Sequence, residues 1–326
     1  MDLSNILAQI TSPQILFFAV GMFAALVRSD LKIPEAMSTA MMLFLLVAIG
    51  LKGGIGLSEV SLDETLLPAL AAIALGIGIV SVGFVVLRKL KVDRANAGSI
   101  AGHYGAVSAV TMVVGFEYLD RLGVSYESFI PALYPFMDST ALVTAILITR
   151  TAMAREAHEG VKVDVLGILK DSVRGRAVLV LVAALAIGYV SGADGTAHIM
   201  PFFGDMFRGI LCLFMLDMGL LAAGRLHEWK IMGAKIVGYA YLMPPLHGSV
   251  GVLLGTAAGL TPGGATMLGI FAASASYVSA PAAIRAAIPE ANPSLSLTAS
   301  VALTFPFNII FGIPLYHWLA ELAARL

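Results

Sequence analysis

The sequence of 326 residues has a single cysteine and few charged side chains, and both shortages exclude classes of protein. The lone Cys212 cannot form an intramolecular disulfide or a cysteine-rich metal site. Charged residues amount to 13% of the chain, whereas soluble domains carry about 25%. The formal net charge of −1 indicates no basic surface, so we expect no nucleic-acid partner.

Sequence motifs for enzymatic chemistry are also missing. No H-E-x-x-H zinc pair and no P-loop occurs, which argues against a catalytic metal and against ATP-driven transport. The segment Gly105-Ala106-Val107-Ser108-Ala109 does not match the G-x-S-x-G context of a serine nucleophile. The N-terminus lacks a basic n-region and an A-x-A cleavage pattern, so we expect no cleaved signal peptide. We therefore predict a protein that is not an enzyme and that needs no cofactor beyond a coupling ion.

Hydrophobic residues dominate the chain. They make up 59% of it, and the mean hydropathy is +0.90, which predicts an integral membrane protein. Because a span needs about 20 apolar residues, we predict ten transmembrane helices. The second is expected to end at Lys52-Gly53-Gly54. The ten predicted spans are 13–27, 35–51, 66–87, 96–116, 128–149, 175–191, 205–223, 232–258, 263–287 and 297–320.

Basic residues in the short loops predict the orientation of these spans. Four of them follow the third span, namely Arg88, Lys89, Lys91 and Arg94. The loop between the eighth and ninth spans has no Lys or Arg. Since cytoplasmic loops carry the excess of basic residues, odd-numbered spans should end in the cytoplasm. Both termini are then expected outside, in a multi-pass protein of the inner (cytoplasmic) membrane of the cell.

The chain divides into two halves of similar design. Residues 1–150 would hold five spans, 151–174 a cytoplasmic linker, and 175–326 the other five. With an odd number of spans in each half, two halves of the same fold lie in opposite orientations. The pattern Ser108-x-x-Thr111 in one half is matched by Ser276-x-x-Ser279 in the other. The predicted fold is an all-α integral membrane protein with ten transmembrane helices in two inverted five-helix repeats.

Two stretches, 102–111 in span 4 and 272–281 in span 9, are poor in Leu and Ile and rich in small residues. Such residues weaken a helix inside the membrane, so helices 4 and 9 are predicted to be discontinuous. An interrupted helix exposes N–H groups, which attract an anion, and oxygens, which coordinate a hard cation. The candidate hydroxyls are those of Ser108, Thr111, Ser276 and Ser279. Alternatively, the small residues only allow close helix packing.

Two acidic residues are expected inside the membrane, Asp138 near the middle of span 5 and Asp217 near the middle of span 7. A central Asp costs about 2.5–3.5 kcal/mol on insertion scales, so it needs a partner, an ion or a proton. We predict that Asp138, with Ser108, Ser276 and the amide of Asn308, binds a cation. Asp217 is a second candidate acid for an ion or proton. Alternatively, both acids are protonated and hydrogen-bonded to neighbouring helices.

Several segments spread along the chain match one family. They include Gly105-Ala106-Val107-Ser108, Leu133-Tyr134-Pro135-Phe136-Met137-Asp138, Phe207-Arg208-Gly209-Ile210-Leu211, Ala291-Asn292-Pro293-Ser294 and Gly312-Ile313-Pro314-Leu315. In these segments the chain resembles the SbtA-like family of sodium-dependent bicarbonate symporters, over nearly its whole length. The resemblance implies two inverted repeats that interleave into a core and a gate domain, a homotrimer in the lipid bilayer, and Na⁺-driven uptake of bicarbonate.

The resemblance also implies which residues bind the substrate. The family's anion lies between the breaks of spans 4 and 9, which here points to Gly105, Ala106, Ser108, Thr111, Ser274, Ser276 and Ser279. The sequence departs from the family pattern at Ala109, Val110, Ala275 and Tyr277, where polar groups are replaced. The resemblance further implies a PII-like regulatory protein at the cytoplasmic face.

Three functions are open at this point. The first is secondary active transport, with Na⁺-coupled uptake of bicarbonate or a similar small anion. The second is transport of a different organic or carboxylate anion, or coupling to protons through Asp138 and Asp217, which the lost polar groups favour. The third is a non-transporting membrane sensor on the same fold.

Overall fold

The computed structural model describes residues 3–157 and 165–325, and every regular element in these ranges is a helix. Seven helices in the described part are long and apolar enough to cross a membrane. They are Glu35–Leu57, Asp63–Lys89, Arg94–Leu122, Ile130–Arg155, Arg176–Thr196, Phe207–Glu228 and Pro293–Ala323. Two shorter apolar helices, Pro13–Leu26 and Pro262–Ala273, accompany them. The chain is therefore an all-helical, multi-pass membrane protein.

The helices are numbered here in chain order. Those before residue 158 are α1 (Leu3–Ile10), α2 (Pro13–Leu26), α3 (Glu35–Leu57), α4 (Leu62–Lys89), α5 (Arg94–Gly105), α6 (Ala109–Leu122) and α7 (Ile130–Ala157). Those after residue 164 are α8 (Val165–Val173), α9 (Arg176–Thr196), α10 (Met200–Asp205), α11 (Phe207–Arg225), α12 (Trp229–Ala257), α13 (Pro262–Ala273), α14 (Ala280–Ala287) and α15 (Pro293–Ala323). Two π-helical segments, Ala299–Thr304 and Asn308–Gly312, lie within α15.

Some predicted boundaries need correction. The expected end of the second span at Lys52-Gly53-Gly54 is wrong, because α3 continues to Leu57. Here glycine allows close packing and does not end the helix: a Cβ at Gly54 would overlap the carbonyl oxygen of Leu185 in α9. The short helices α1 and α10 are absent from the sequence prediction. The predicted linker 151–174 includes the end of α7 and all of α8, while its residues 158–164 lie outside the described residues.

Four helices pack as two close pairs. The pairs are α2 with α11 and α3 with α9, and they have the most extensive contacts between helices in the protein. In the first pair, a Cβ at Gly21 or at Gly219 would overlap a backbone carbonyl of the opposite helix. Gly54 and Gly188 have the same relationship in the second pair. Small residues thus allow the backbones to approach, as is typical of helix contacts in membranes. We refer to α2, α3, α9 and α11 as the four-helix group.

A second group consists of α4–α7 and α12–α15. We call it the crossing group. Within it α4 packs on α5 and α7, and α12 packs on α13 and α15. The two groups meet where α11 contacts the π-helical segment Ala299–Thr304 and where α3 contacts α6 and α7. The edge-to-face rings of Phe18 and Phe305, with centroids 5.6 Å apart, also join the groups.

Two interruptions lie inside the crossing group. α5 ends at Gly105, and α6 begins at Ala109 after three non-helical residues. α13 ends at Ala273, and α14 begins at Ala280 after six. Both stretches singled out for their small residues therefore contain a helix break.

Candidate functional site

The first break places free backbone groups and a serine hydroxyl in the protein interior. Ala106 is extended, with φ −80° and ψ 139°, which directs the chain away from the axis of α5. Ser108 caps α6, and its hydroxyl accepts a hydrogen bond from the Thr111 amide at 3.3 Å. Ser108 and Thr111 are 2% and 1% exposed, so this helix start lies away from solvent. Such a start carries a partial positive charge, which favours a bound anion.

The second break is richer in hydroxyl groups. Ser274 is extended, with φ −75° and ψ 163°, and its hydroxyl donates to the Phe271 carbonyl at 2.9 Å. Two residues on, the hydroxyl of Ser276 accepts a hydrogen bond from the Ser279 amide at 3.3 Å. The hydroxyls of Ser276 and Ser279 lie 2.7 Å apart. The serine hydroxyls of this break thus form hydrogen bonds with its backbone and with each other.

The two breaks are hydrogen-bonded directly to each other. The Ser276 amide donates to the His103 carbonyl at 2.7 Å and to the Ala106 carbonyl at 3.2 Å. In the other direction, the Ser108 amide donates to the Ser274 hydroxyl at 2.9 Å. The structure therefore brings together the two stretches that the sequence pairs, although they lie about 170 residues apart in the chain.

Asp138 completes this cluster from α7. The carboxyl group is fully buried, and its Oδ1 accepts hydrogen bonds from the Val107 amide at 3.1 Å and the Ser279 hydroxyl at 3.0 Å. The other oxygen, Oδ2, has no hydrogen-bond partner among the described residues. Both described hydrogen-bond partners of the carboxyl group are neutral, so they would not compensate the charge of its ionised form. A buried carboxylate of this kind needs a cation or a proton.

This set of groups suits a hard monovalent cation. Carboxylate, hydroxyl and carbonyl oxygens are the ligands that hard cations prefer. Around Asp138 the structure provides the unpartnered Oδ2 and the adjacent hydroxyls of Ser276 and Ser279. Na⁺ is chemically compatible with this cluster.

The amide group of Asn308, also predicted as a cation ligand, forms hydrogen bonds to two groups other than Asp138. Its Nδ2 donates to the Ala273 carbonyl at 2.8 Å, and its Oδ1 accepts from the Tyr316 hydroxyl at 3.0 Å. The described contacts assign Asn308 to holding the end of α13 and do not link it to Asp138. Sequence reasoning missed Tyr316, since an apolar-helix tyrosine carries no pattern that points to a particular partner.

Gly105 and Ala106 are buried packing positions at the first break. A Cβ at Gly105 would overlap the Val80 side chain of α4, and Ala106 is 0% exposed. The absence of a side chain at Gly105 lets α5 approach α4 at the point where the helix ends. Both residues therefore help to shape the break, whether or not they contact a substrate.

Asp217 lies in α11 of the four-helix group. Ser38 of α3 and Tyr277 of the second break are close enough to interact with its carboxyl group. The Tyr277 hydroxyl donates to Met218 Sδ at 3.3 Å, and its ring meets Phe305 edge to face with centroids 5.8 Å apart. Tyr277 thus fills the space between the second break and α11, and this closes the cluster from that side.

The cluster of helix breaks, serines and a buried carboxylate can now be compared with known proteins. A family model described as the Na⁺-dependent bicarbonate transporter superfamily matches residues 13–321. The chain belongs to this superfamily. A comparison with individually curated proteins gave no match. Membership in this transporter superfamily agrees with the resemblance drawn from the sequence motifs, and it makes the chain a transporter-family protein.

Proposed function

We propose that this superfamily member is a secondary active transporter that couples Na⁺ entry to the uptake of bicarbonate or a similar small anion. The observation that carries the proposal is the arrangement around Asp138. A buried carboxylate with one unpartnered oxygen contacts both helix breaks, through the Val107 amide and the Ser279 hydroxyl. A cation bound at Asp138 would therefore act on the geometry of both breaks at once.

We further propose the ten-span, inverted-repeat architecture, with both termini outside the inner membrane. The packing of the helices supports it. If α2, α3, α9 and α11 are spans 1, 2, 6 and 7, then span 1 pairs with span 7, and span 2 pairs with span 6. If each span is replaced by the one five positions away in the chain, the pair of spans 1 and 7 becomes the pair of spans 6 and 2, as expected for two repeats of five spans. The glycines at the contacts follow the same exchange, since Gly21 corresponds to Gly188 and Gly54 to Gly219.

The order of binding follows from electrostatics. An anion entering beside an unneutralised carboxylate is repelled, so the cation must bind at Asp138 first. With Na⁺ in place, the start of α6 at Ser108 and the hydroxyls of the second break attract the anion. Coupling then results from mutual stabilisation of the two ions, and each raises the affinity for the other. The Na⁺ gradient then drives concentrative uptake, and a membrane potential adds about 2.3 kcal/mol per 100 mV only for each net charge moved, which is none for one Na⁺ with one bicarbonate.

Uptake into proteoliposomes tests this proposal. Labelled bicarbonate should accumulate when Na⁺ is imposed outside, and it should not when choline replaces Na⁺. Asp138→Asn keeps the size of the side chain and removes its charge, so it should abolish the Na⁺-dependent component. A protein that carries no Na⁺-dependent flux of bicarbonate or other small anions would contradict the proposal.

Proton coupling is the second candidate, and Asp217 is the observation that favours it. This acid in the middle of α11 lies near the neutral Ser38 and forms no ion pair with any described residue. A carboxyl group of this kind can carry a proton between α11 and the second break, where Tyr277 lies beside it. Flux that follows a pH gradient and persists without Na⁺ would support this alternative.

A transporter of larger carboxylate anions would give Na⁺- or proton-dependent flux of those anions in the same assay.

A further inference from the structure

A charged cavity separates the two helix groups at the end of α6. Its volume is about 560 Å³, and its walls come from α3, α6, α10, α11 and the loop after α6. The basic side chains Lys52 and Arg208 belong to the four-helix group, and the acidic Glu117 and Asp120 belong to the crossing group; Asp205 of α10 is a third acidic residue of the lining. Charges of opposite sign therefore face each other across the boundary between the groups.

Glu117 is the centre of the contacts across this boundary. The residue is 5% exposed, and both carboxylate oxygens lie near Nε of Arg208, at 3.1 and 3.2 Å. Gln14 of α2 donates a further hydrogen bond to Glu117 at 3.2 Å. One buried carboxylate of the crossing group thus binds two helices of the four-helix group. Hydrogen bonds of this charged type are stronger than neutral ones.

Asp120, almost one turn later, makes a second contact across the boundary. Its Oδ2 lies 3.4 Å from Nζ of Lys52 in α3, and its Oδ1 accepts from the Tyr126 hydroxyl at 3.0 Å. Burial and the nearby acids raise the pKa of Tyr126, so its phenol remains a hydrogen-bond donor to Asp120. The Lys52 and Asp120 side chains are 64% and 33% exposed, so this pair is weaker and more sensitive to salt.

The end of the other broken helix lacks such contacts. α14 carries the exposed Arg285, and within the described ranges it forms no ion pair with the four-helix group. The nearby pair Arg150–Glu290, at 3.6 Å, lies within the crossing group. Among the described residues, the ion pairs across the boundary thus lie at the end of α6, while elsewhere Glu228, just after α11, accepts a hydrogen bond from Thr298 of α15.

We propose that Glu117 and Asp120 form a latch that holds the crossing group against the four-helix group at the end of α6. Opening this latch gives access from the cavity to the buried break at Ser108, three turns deeper in the same helix. This inference deepens the proposed function, because it names the contacts that must break before an ion can reach the site from this side. Glu117 is the main element, since its carboxylate is buried and bonds both Arg208 and Gln14, whereas the Asp120 carboxylate is 33% exposed; the two basic partners, Arg208 and Lys52, are equally exposed.

Accessibility of an engineered cysteine tests the latch without any transport measurement. Val113 lies one turn before Glu117 on the same face of α6 and is 2% exposed. In a Cys212→Ala background, Val113→Cys would be reacted with a charged methanethiosulfonate reagent in nanodiscs, where both sides of the membrane are accessible. The latch predicts that Glu117→Gln raises the rate of modification about tenfold, the factor expected when a charged hydrogen bond is lost.

A double-mutant cycle and a matched control make the result specific. Arg208→Gln should raise the rate by a similar factor, and adding it to Glu117→Gln should give little further increase, because both remove one interaction. Asp120→Asn, at a half-exposed position that tolerates substitution, should give a smaller rise. Glu290→Gln breaks the ion pair inside the crossing group and should leave the rate unchanged.

The possible outcomes separate the latch from the proposed function. Unchanged rates in Glu117→Gln and Arg208→Gln would overturn the latch, and so would an equal rise in Glu290→Gln. A protein that shows the expected rates but carries no Na⁺-dependent flux would retain the latch and contradict the proposed substrate or coupling ion.

Discussion

The Ser276 amide donates to the His103 carbonyl over 2.7 Å, which joins the two interrupted helices through their backbones. His103 lies in the last turn of α5, where carbonyl groups have no partner within the helix. The second break therefore supplies a donor that the first break needs. A substitution that shifts either break will therefore also shift the other, so the geometry around Asp138 depends on both halves of the chain.

Asp138→Asn should remove stabilisation of the purified protein by Na⁺. A ligand that binds only the folded state stabilises it by about 2.7 kcal/mol at a hundredfold excess over its Kd. We expect the apparent Tm of the unsubstituted protein to rise with Na⁺ and not with choline. In Asp138→Asn the two salts should give the same Tm, measured by intrinsic fluorescence during heating.

Two serine variants provide the matched comparison for this measurement. Ser279→Ala removes a hydroxyl that contacts Asp138, so the rise in Tm should require more Na⁺. Ser300→Ala removes a buried hydroxyl that bonds only within its own helix, to the Ser296 carbonyl at 2.8 Å. The Na⁺ response of Ser300→Ala should match that of the unsubstituted protein. Equal responses in all three proteins would argue against a cation at Asp138.

Gly105→Ala should destabilise the protein at the first break. The added methyl group would overlap the Val80 side chain, and overpacking of this kind costs about 1–3 kcal/mol. Gly78→Ala in α4 is the control, because nothing lies within 4 Å of a Cβ at that position. Since alanine favours a helix over glycine, Gly78→Ala should be neutral or slightly stabilising. Thermal unfolding in detergent compares the two variants, and an equal Tm would contradict the role assigned to Gly105.

The sequence pattern was sufficient to locate the breaks but not the contacts that complete them. Gly, Ser and Ala in two stretches of an apolar chain predicted interrupted helices, because the physical cause is local. The continuation of α3 past Gly53 and Gly54 depends on close packing against α9, which no local pattern encodes. The contacts of Asn308 with Tyr316 and the Ala273 carbonyl were likewise not predictable from the sequence, and its role as a cation ligand stays a prediction.

Gly21→Ala and Gly219→Ala should destabilise the pair of α2 and α11, each by at least about 1–3 kcal/mol. Each added Cβ would overlap a backbone carbonyl of the opposite helix, and backbone cannot rotate away as a side chain can. The two losses should not add, because either substitution alone separates the helices. Gly224→Ala in α11 is the control, since a Cβ there has open space. Additive losses would indicate that the two glycines do not share one contact.

Asp217→Asn distinguishes the two candidate coupling ions. Asparagine keeps the size of the side chain and one acceptor oxygen, and Asp217 forms no ion pair with a described residue, so we expect a change in Tm of less than a few degrees. If Na⁺ at Asp138 drives transport, Asp217→Asn should retain Na⁺-dependent uptake with little change in rate, while Asp138→Asn abolishes it. If Asp217 carries a coupling proton, Asp217→Asn should instead remove the response of uptake to an imposed pH gradient. Uptake into proteoliposomes with independently set Na⁺ and pH gradients measures the Na⁺ response and the pH response on the same preparation. A pH response that is retained in Asp217→Asn would exclude this acid as the proton carrier.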